Sequence, residues 1–253
     1  MTMTTRMMRA RMAALALAGC AALLAADTAD AQQADVAVVY RLLQEGKLDV
    51  TRGTAAARAV PLGERLRSED RMQTSANTRA ALRFTDDGSV LRLNPNTRMR
   101  LTSGAQRGVV VRTLNLEYGE LWTRVTRRQG TTLQVQTAAG VAAVKGTEFV
   151  VRVDSQGVTT VLTLEGVVEF FNAAGRVDVP AGSKVVADSG QAPRAQPATA
   201  EELRGGAAAR GDEGGAVSGT WMEVQLRDAT GQTRTLMLQL PAAAVRERME
   251  GRP

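Results

Sequence analysis

From Leu48 onward, apolar residues alternate with polar ones in short runs, and Gly, Asn, Asp or Pro interrupts the runs at intervals of about 8 to 12 residues. A period of two puts one face of each run in a core and the other in water, which is a strand pattern and not a helical one. The clearest hairpin spans Ala80 to Leu93, with Asp87-Gly88 read as a two-residue turn of the primed type. That turn length predicts Phe84 opposite Leu91 and Leu82 opposite Leu93 on one face, and Arg83 opposite Arg92 on the other. On the next run Thr97, Met99 and Leu101 share a face, with Arg98 and Arg100 turned the opposite way. Further strands are predicted at residues 109–116, 120–126, 131–137, 142–153, 158–164, 167–171 and 184–187. Glycines at 119, 140, 146, 157, 166, 175 and 182 mark the joints and recur as in stacked, repeating hairpins. The expected fold class is all-β: a jelly-roll-like β-sandwich, with a short β-roll or solenoid as the alternative.

The flanks read differently. Gln33 to Gln44 fits either a short helix, with Val36, Val39, Tyr40 and Leu43 at helical spacing, or a first strand through Val36–Tyr40. Residues 191–219 are rich in Gly, Ala and Pro and read as a flexible linker. Beyond it, Trp221–Leu226 and Thr233–Leu240 alternate around Asp228-Ala-Thr-Gly231 as a C-terminal hairpin, and Pro241–Glu250 reads as a short helix opened by proline. The chain thus divides into a signal segment (1–31), a lead-in (32–50), a β domain (51–190), the linker (191–219) and a hairpin with helix (220–253).

The opening carries Arg6, Arg9 and Arg11 before an apolar run from Met12 to Ala26, as in an export signal. That run is 15 residues, short of the roughly 20 that cross a bilayer, and no other segment approaches it, so no transmembrane segment is expected in the mature chain. Ala29-Asp-Ala31 before Gln32 is a cleavage site for an ordinary signal; Leu17-Ala-Gly-Cys20 is the competing lipobox, which would leave an acylated Cys20. The apolar run continues past Cys20, which favours cleavage after Ala31 and a periplasmic or secreted protein. Such a chain has no cysteine, and its stability rests on its core alone. Its formal charge falls from +6 to +5, because the segment removed holds three Arg and two Asp. In an exported protein that excess is not expected to meet nucleic acid.

The chain has no histidine, which removes the commonest general base and metal ligand at once. Asp86 and Asp87 are assigned to turn chemistry, and Glu117, Glu120, Glu148, Glu165 and Glu169 to solvent-facing strand positions. No catalytic residue, metal site or cofactor is expected. Tyr118 and Trp122, four apart on one predicted strand, share a face. With eight aromatic residues in the chain, core placement is favoured over stacking on sugar. The binding candidates are the arginines Arg83, Arg92, Arg98 and Arg100, read as one basic face, together with Trp221.

Val135 to Val153 reads as two strand-like runs punctuated by Gly140 and Gly146, with Gly146-Thr147 opening the second. Upstream stands Thr85-Asp-Asp-Gly-Ser-Val-Leu-Arg-Leu-Asn-Pro95; downstream stand Leu164-Glu-Gly-Val-Val168 and Val179-Pro-Ala-Gly-Ser183. In that order and spacing these segments resemble the FecR-like domain, the periplasmic β module of iron-responsive sigma-factor regulators, over roughly Arg58 to Ser189. The resemblance implies a periplasmic module that receives or relays information through protein contact. In the regulators a cytoplasmic anti-sigma segment and a membrane helix precede the module. Here a signal segment precedes it, so direct control of a sigma factor inside the cytoplasm is not expected. The expectation is a non-catalytic module that meets an envelope protein, with binding of an anionic envelope polymer such as peptidoglycan or polysaccharide as the alternative.

Overall fold

The computed structural model describes residues 34–43, 47–210, 221–227 and 232–239. The expected signal segment with Cys20, the turn 228–231 and the expected helix 241–250 lie outside the described residues.

The strands form two facing layers. Layer A runs β4 (Arg65–Arg67), β1 (Asp35–Leu43), β6 (Arg79–Phe84), β7 (Val90–Leu93), the second half of β9 (Val109–Arg124), β12 (Glu148–Val153), β13 (Thr159–Glu165), β16 (Ser183–Ala187) and β17 (Ala195–Pro197). Layer B runs β3 (Arg58–Ala59), β2 (Leu48–Thr51), β5 (Arg71–Thr74), β8 (Arg98–Gln106), the first half of β9, β10 (Thr131–Gln136), β11 (Val141–Val144), β14 (Val167–Asn172) and β15 (Gly175–Pro180). All these pairs are antiparallel except β9 with β10. Hairpins fall in both layers: β6–β7 in A, β8–β9 and β10–β11 in B, β12–β13 in A, β14–β15 in B. This is an all-β sandwich, and the glycine-punctuated hairpins are its repeating unit.

The inner faces meet in one apolar core, with cross-strand rows such as Leu93–Leu121–Val151–Val161–Val185 in layer A and Leu133–Val144–Val168–Val179 in layer B. β9 passes from one layer to the other at Gly119, which takes φ +101°. A Cβ there would lie 2.5 Å from the Thr97 Cα. The Thr97 hydroxyl fixes the crossing: it accepts from the Glu120 amide at 3.0 Å and donates to the Glu120 carbonyl at 3.1 Å.

Several expectations are corrected. The lead-in is part of the sandwich: Asp35–Leu43 is a strand paired on both sides, with β4 and β6, and β2 pairs with β3 and β5. The β6–β7 hairpin turns through four residues, not two, pairing Leu82 with Leu91 and Arg83 with Val90. Only Gly88 of the turn takes positive φ. Two bonds hold Thr85 to the other neighbour of β6: its amide donates to the Val36 carbonyl at 3.1 Å and its hydroxyl to that of Asp35 at 2.8 Å. Residues 142–153 break at Gly146 into β11 and β12, and Gly175–Pro180 is a strand that the alternation did not reveal.

The expected linker is ordered in its described part. It holds β17 and helix α1 (Ala200–Ala209). A capping box opens α1: the Thr199 hydroxyl accepts from the Glu202 amide at 3.2 Å, and the Glu202 carboxylate accepts from the Thr199 amide at 2.9 Å. The tail hairpin forms as expected, with β18 (Trp221–Arg227) against β19 (Thr233–Gln239), and the Arg65 guanidinium donates to the Gln225 carbonyl.

Gly119→Ala forces a side chain into a left-handed conformation against Thr97. We expect a loss of about 2 kcal/mol or more, read as a lower urea midpoint at unchanged m-value.

Candidate functional site

The four arginines read as one basic face are divided between the layers. Arg98 and Arg100 lie on β8 in layer B: Arg98 donates to the Gln73 amide oxygen at 2.7 Å and lies over the Tyr118 ring, while Arg100 pairs with Glu69 at 3.6 Å. Arg83 and Arg92 lie in layer A, over Tyr40 and Trp122 respectively. Arg92 is buried. The expectation failed because the chain changes layer between β7 and β8, which alternation does not show; the two-residue slip of the hairpin leaves Arg83 and Arg92 on one face. Trp221 stands apart in β18, opposite Gln239.

Tyr118 and Trp122 both point outward from β9, but in different layers. Tyr118 pairs with Arg98 in layer B and borders an open groove of about 810 Å³ with Glu117, Glu120 and Arg152. Trp122 follows the Gly119 crossing and points out of layer A, yet is fully buried. What buries it is the centre of the most developed site on the molecule.

That site is the outer face of layer A. One cross-strand row runs Arg41–Ala81–Arg92–Trp122–Val150–Leu162–Lys184. Trp122, Val150, Leu162 and Val90 form a second apolar cluster, joined by Tyr40, Leu164 and, from α1, Leu203 and Ala209. An outward sheet face is ordinarily polar; here a helix covers it. α1 lies close because residue 206 is glycine: a Cβ there would come within 2.8 Å of Leu162 and 3.0 Å of Leu164.

Glu148 fastens the arrangement and departs most from expectation. Assigned to a solvent-facing position, its side chain is 1% exposed. One carboxylate oxygen accepts from the Trp122 indole N–H at 3.1 Å and from Arg210 at 2.6 Å; the other accepts from Arg124 at 3.0 Å. Arg210 is the C-cap of α1, and Arg124 also lies over the Trp122 ring. At the other end of the helix, Lys184 donates to Glu202. Two ion pairs of opposite polarity therefore fix the direction of α1.

Two further buried carboxylates are taken up in the same way. Arg112, inside the sandwich on β9, pairs with Asp87 at 2.8 Å and with Asp86, and lies over Phe84. Asp70 holds Arg52 through both oxygens at 2.9 Å and accepts from the Arg67 amide at 2.8 Å. Among the described residues no group of His, Cys, Asp and Glu is placed to hold a metal, and no helix is long and apolar enough to cross a membrane.

Residues 70–169 match the family model described as FecR protein. Two crystal structures of a proposed anti-sigma factor from Parabacteroides distasonis are similar to the chain at 21% identity and a TM-score of 0.41. The match covers 47% of this chain and 56% and 55% of those two, so the chain spans little more than half their length. No curated protein shows significant similarity to it.

Removing the charge from Glu148 leaves two guanidinium groups without their shared partner. Glu148→Gln is expected to lower stability by about 3 kcal/mol, seen in the urea midpoint. A pH effect is expected at the other end of α1. The Lys184 ammonium, followed by the Thr199 amide, holds the Glu202 carboxyl down at about 2 from an ordinary 4.5. A depressed carboxyl stabilises the docked helix above the ordinary value and loses that effect as pH falls toward the depressed one. The protection of the α1 amides, measured against intrinsic exchange at each pH, should therefore fall between pH 4.5 and about 2, and Glu202→Gln should remove that fall.

Proposed function

We propose that this chain is an exported, non-catalytic FecR module that acts by protein–protein contact in the cell envelope, as a relay of signal. The observation that carries the reading is the fate of the buried charges. Glu148, Asp70, Asp87 and Arg112 lie inside the matched segment and are each engaged by a partner within the fold. Charges so held serve the architecture, and what the module offers outward is surface. Export rests on the basic and apolar opening and on the cleavage pattern at Ala31.

One observation favours a second reading, the binding of an anionic envelope polymer. On layer B, Arg71 stands directly opposite Arg100, and Arg98 lies beside it. Like charges so placed are mildly destabilising in a sheet, and a bound polyanion would relieve them.

The test is crosslinking in living cells followed by mass spectrometry of the attached material. One dominant envelope protein, retained at high salt, supports the module. Material that sediments with cell-wall polymer, and is lost with rising ionic strength or on substitution of Arg98 and Arg100 by alanine, overturns it in favour of the polymer. Mass spectrometry of the mature N-terminus tests export: a chain beginning at Gln32 is expected, and an acylated Cys20 would place the module on a membrane anchor.

A further inference from the structure

We infer that the outer face of layer A is the module's interaction surface, and that α1 occupies it as a replaceable strap in the place of a helix from a partner protein. This rests on the reading of the chain as a contact module and names the contact.

Three observations converge. First, Val90, Trp122, Glu148, Val150 and Leu162 all lie within the matched segment 70–169, whereas α1 lies beyond its end. The apolar centre of the face and Glu148 thus belong to the matched segment, whereas Lys184, like α1, lies beyond its end. Second, α1 is poorly made to stand alone. It has ten residues, two of them the adjacent glycines Gly205 and Gly206, and helices this short are marginal in water. Its hold on the sheet comes from Leu203, Ala209 and the pairs at its two ends. Third, the face has sockets with a direction. Lys184 takes an acid of the helix's first turn, the apolar cluster takes a leucine one residue further on, the Leu162–Leu164 surface admits a residue without a side chain, and Glu148 takes an arginine at the C-terminal end. The partner that fits is therefore a short helix with an acidic start, a small residue on its buried side and a terminal arginine. With α1 lifted, Trp122 and its neighbours form a contiguous apolar patch between Glu148 and Lys184, of the kind that protein interfaces use.

The probe is a labelled peptide of residues 198–210, offered to the full chain. Gly206→Leu with Arg210→Glu in the chain spoils the strap on both contacts and leaves the sheet untouched. The peptide is expected to bind this variant saturably, at least about tenfold more tightly than the unaltered chain whose own strap competes. A peptide with Arg210 changed to glutamate should not bind. In the unaltered chain, amide exchange should show α1 opening on its own, with protection on the order of a hundredfold below that of β9 and β12. A folded variant that ignores the peptide overturns the inference. So does an α1 that exchanges only with the whole domain, a result that decides the matter even if the variant fails to fold. Either failure would leave the crosslinking result standing and so would count against this face alone.

Discussion

Strand β9 is shared by both layers, and most of the architecture follows from how it crosses between them. In layer B its even-numbered residues Arg112, Leu114 and Leu116 face the interior; after Gly119 the odd-numbered Leu121 and Thr123 do. A strand's side chains alternate strictly, so only a break in the backbone can exchange the two parities. That break is the bulge at Glu117, where Met99 still faces Leu116 but Arg98 faces Tyr118. Gly119, at φ +101°, then carries the strand across, and the Thr97 hydroxyl locks the crossing. Trp122, which would have joined the main core in a straight strand, is turned outward instead. A large aromatic side chain on an outer face needs a cover, and α1 is that cover.

The charged groups buried around this frame specify more than they stabilise. Burying an ion pair takes both groups out of water, and the attraction regained roughly offsets that loss, whereas removing one partner is severe. Arg112 reaches from layer B to the β6–β7 turn of layer A, so a slip of one layer against the other would strand a charge. Glu148 does the same between sheet and helix. The aromatic scarcity of the chain enters here. Arginines lie over Tyr40, Phe84, Tyr118, Trp122 and Phe171, and the planar guanidinium can stack where a lysine ammonium cannot. The preference for arginine over lysine, which composition alone leaves open between host codon usage and anion binding, has a structural use on both layers.

The sandwich, most of its strands and its family resemblance were legible because alternation and glycine spacing are local signals. The site was not. Glu148 follows Gly146-Thr147 at the start of a strand, where a carboxylate ordinarily faces water; what buries it is Arg210, 62 residues away. The crossing at Gly119 depends on Thr97, from the turn before β8, and it carries Trp122 into layer A while Tyr118 stays in layer B. The helix is the exception, since it had a local signal. Thr199-x-x-Glu202 is a capping box in plain sequence, but the surrounding Gly, Ala and Pro composition outweighed it and the stretch read as linker.

That misreading points to the physical character of α1. Its two glycines make it less favourable than an all-alanine helix by about 2 kcal/mol, and covering one large apolar side chain contributes a similar amount. Propensity and burial thus come close to cancelling, and the ends decide the balance. The Thr199–Glu202 box orders the first turn, the same Glu202 reaches Lys184, and Arg210 reaches a carboxylate already committed to Trp122 and Arg124. Gly206 has a double part: it weakens the helix as a helix, yet only a residue without a side chain fits against Leu162 and Leu164 at this distance. A sequence selected for the strongest cover would widen the contact and remove the glycines. This one keeps a close fit on a weak helix, which is the arrangement expected of a segment that holds its place and can also yield it.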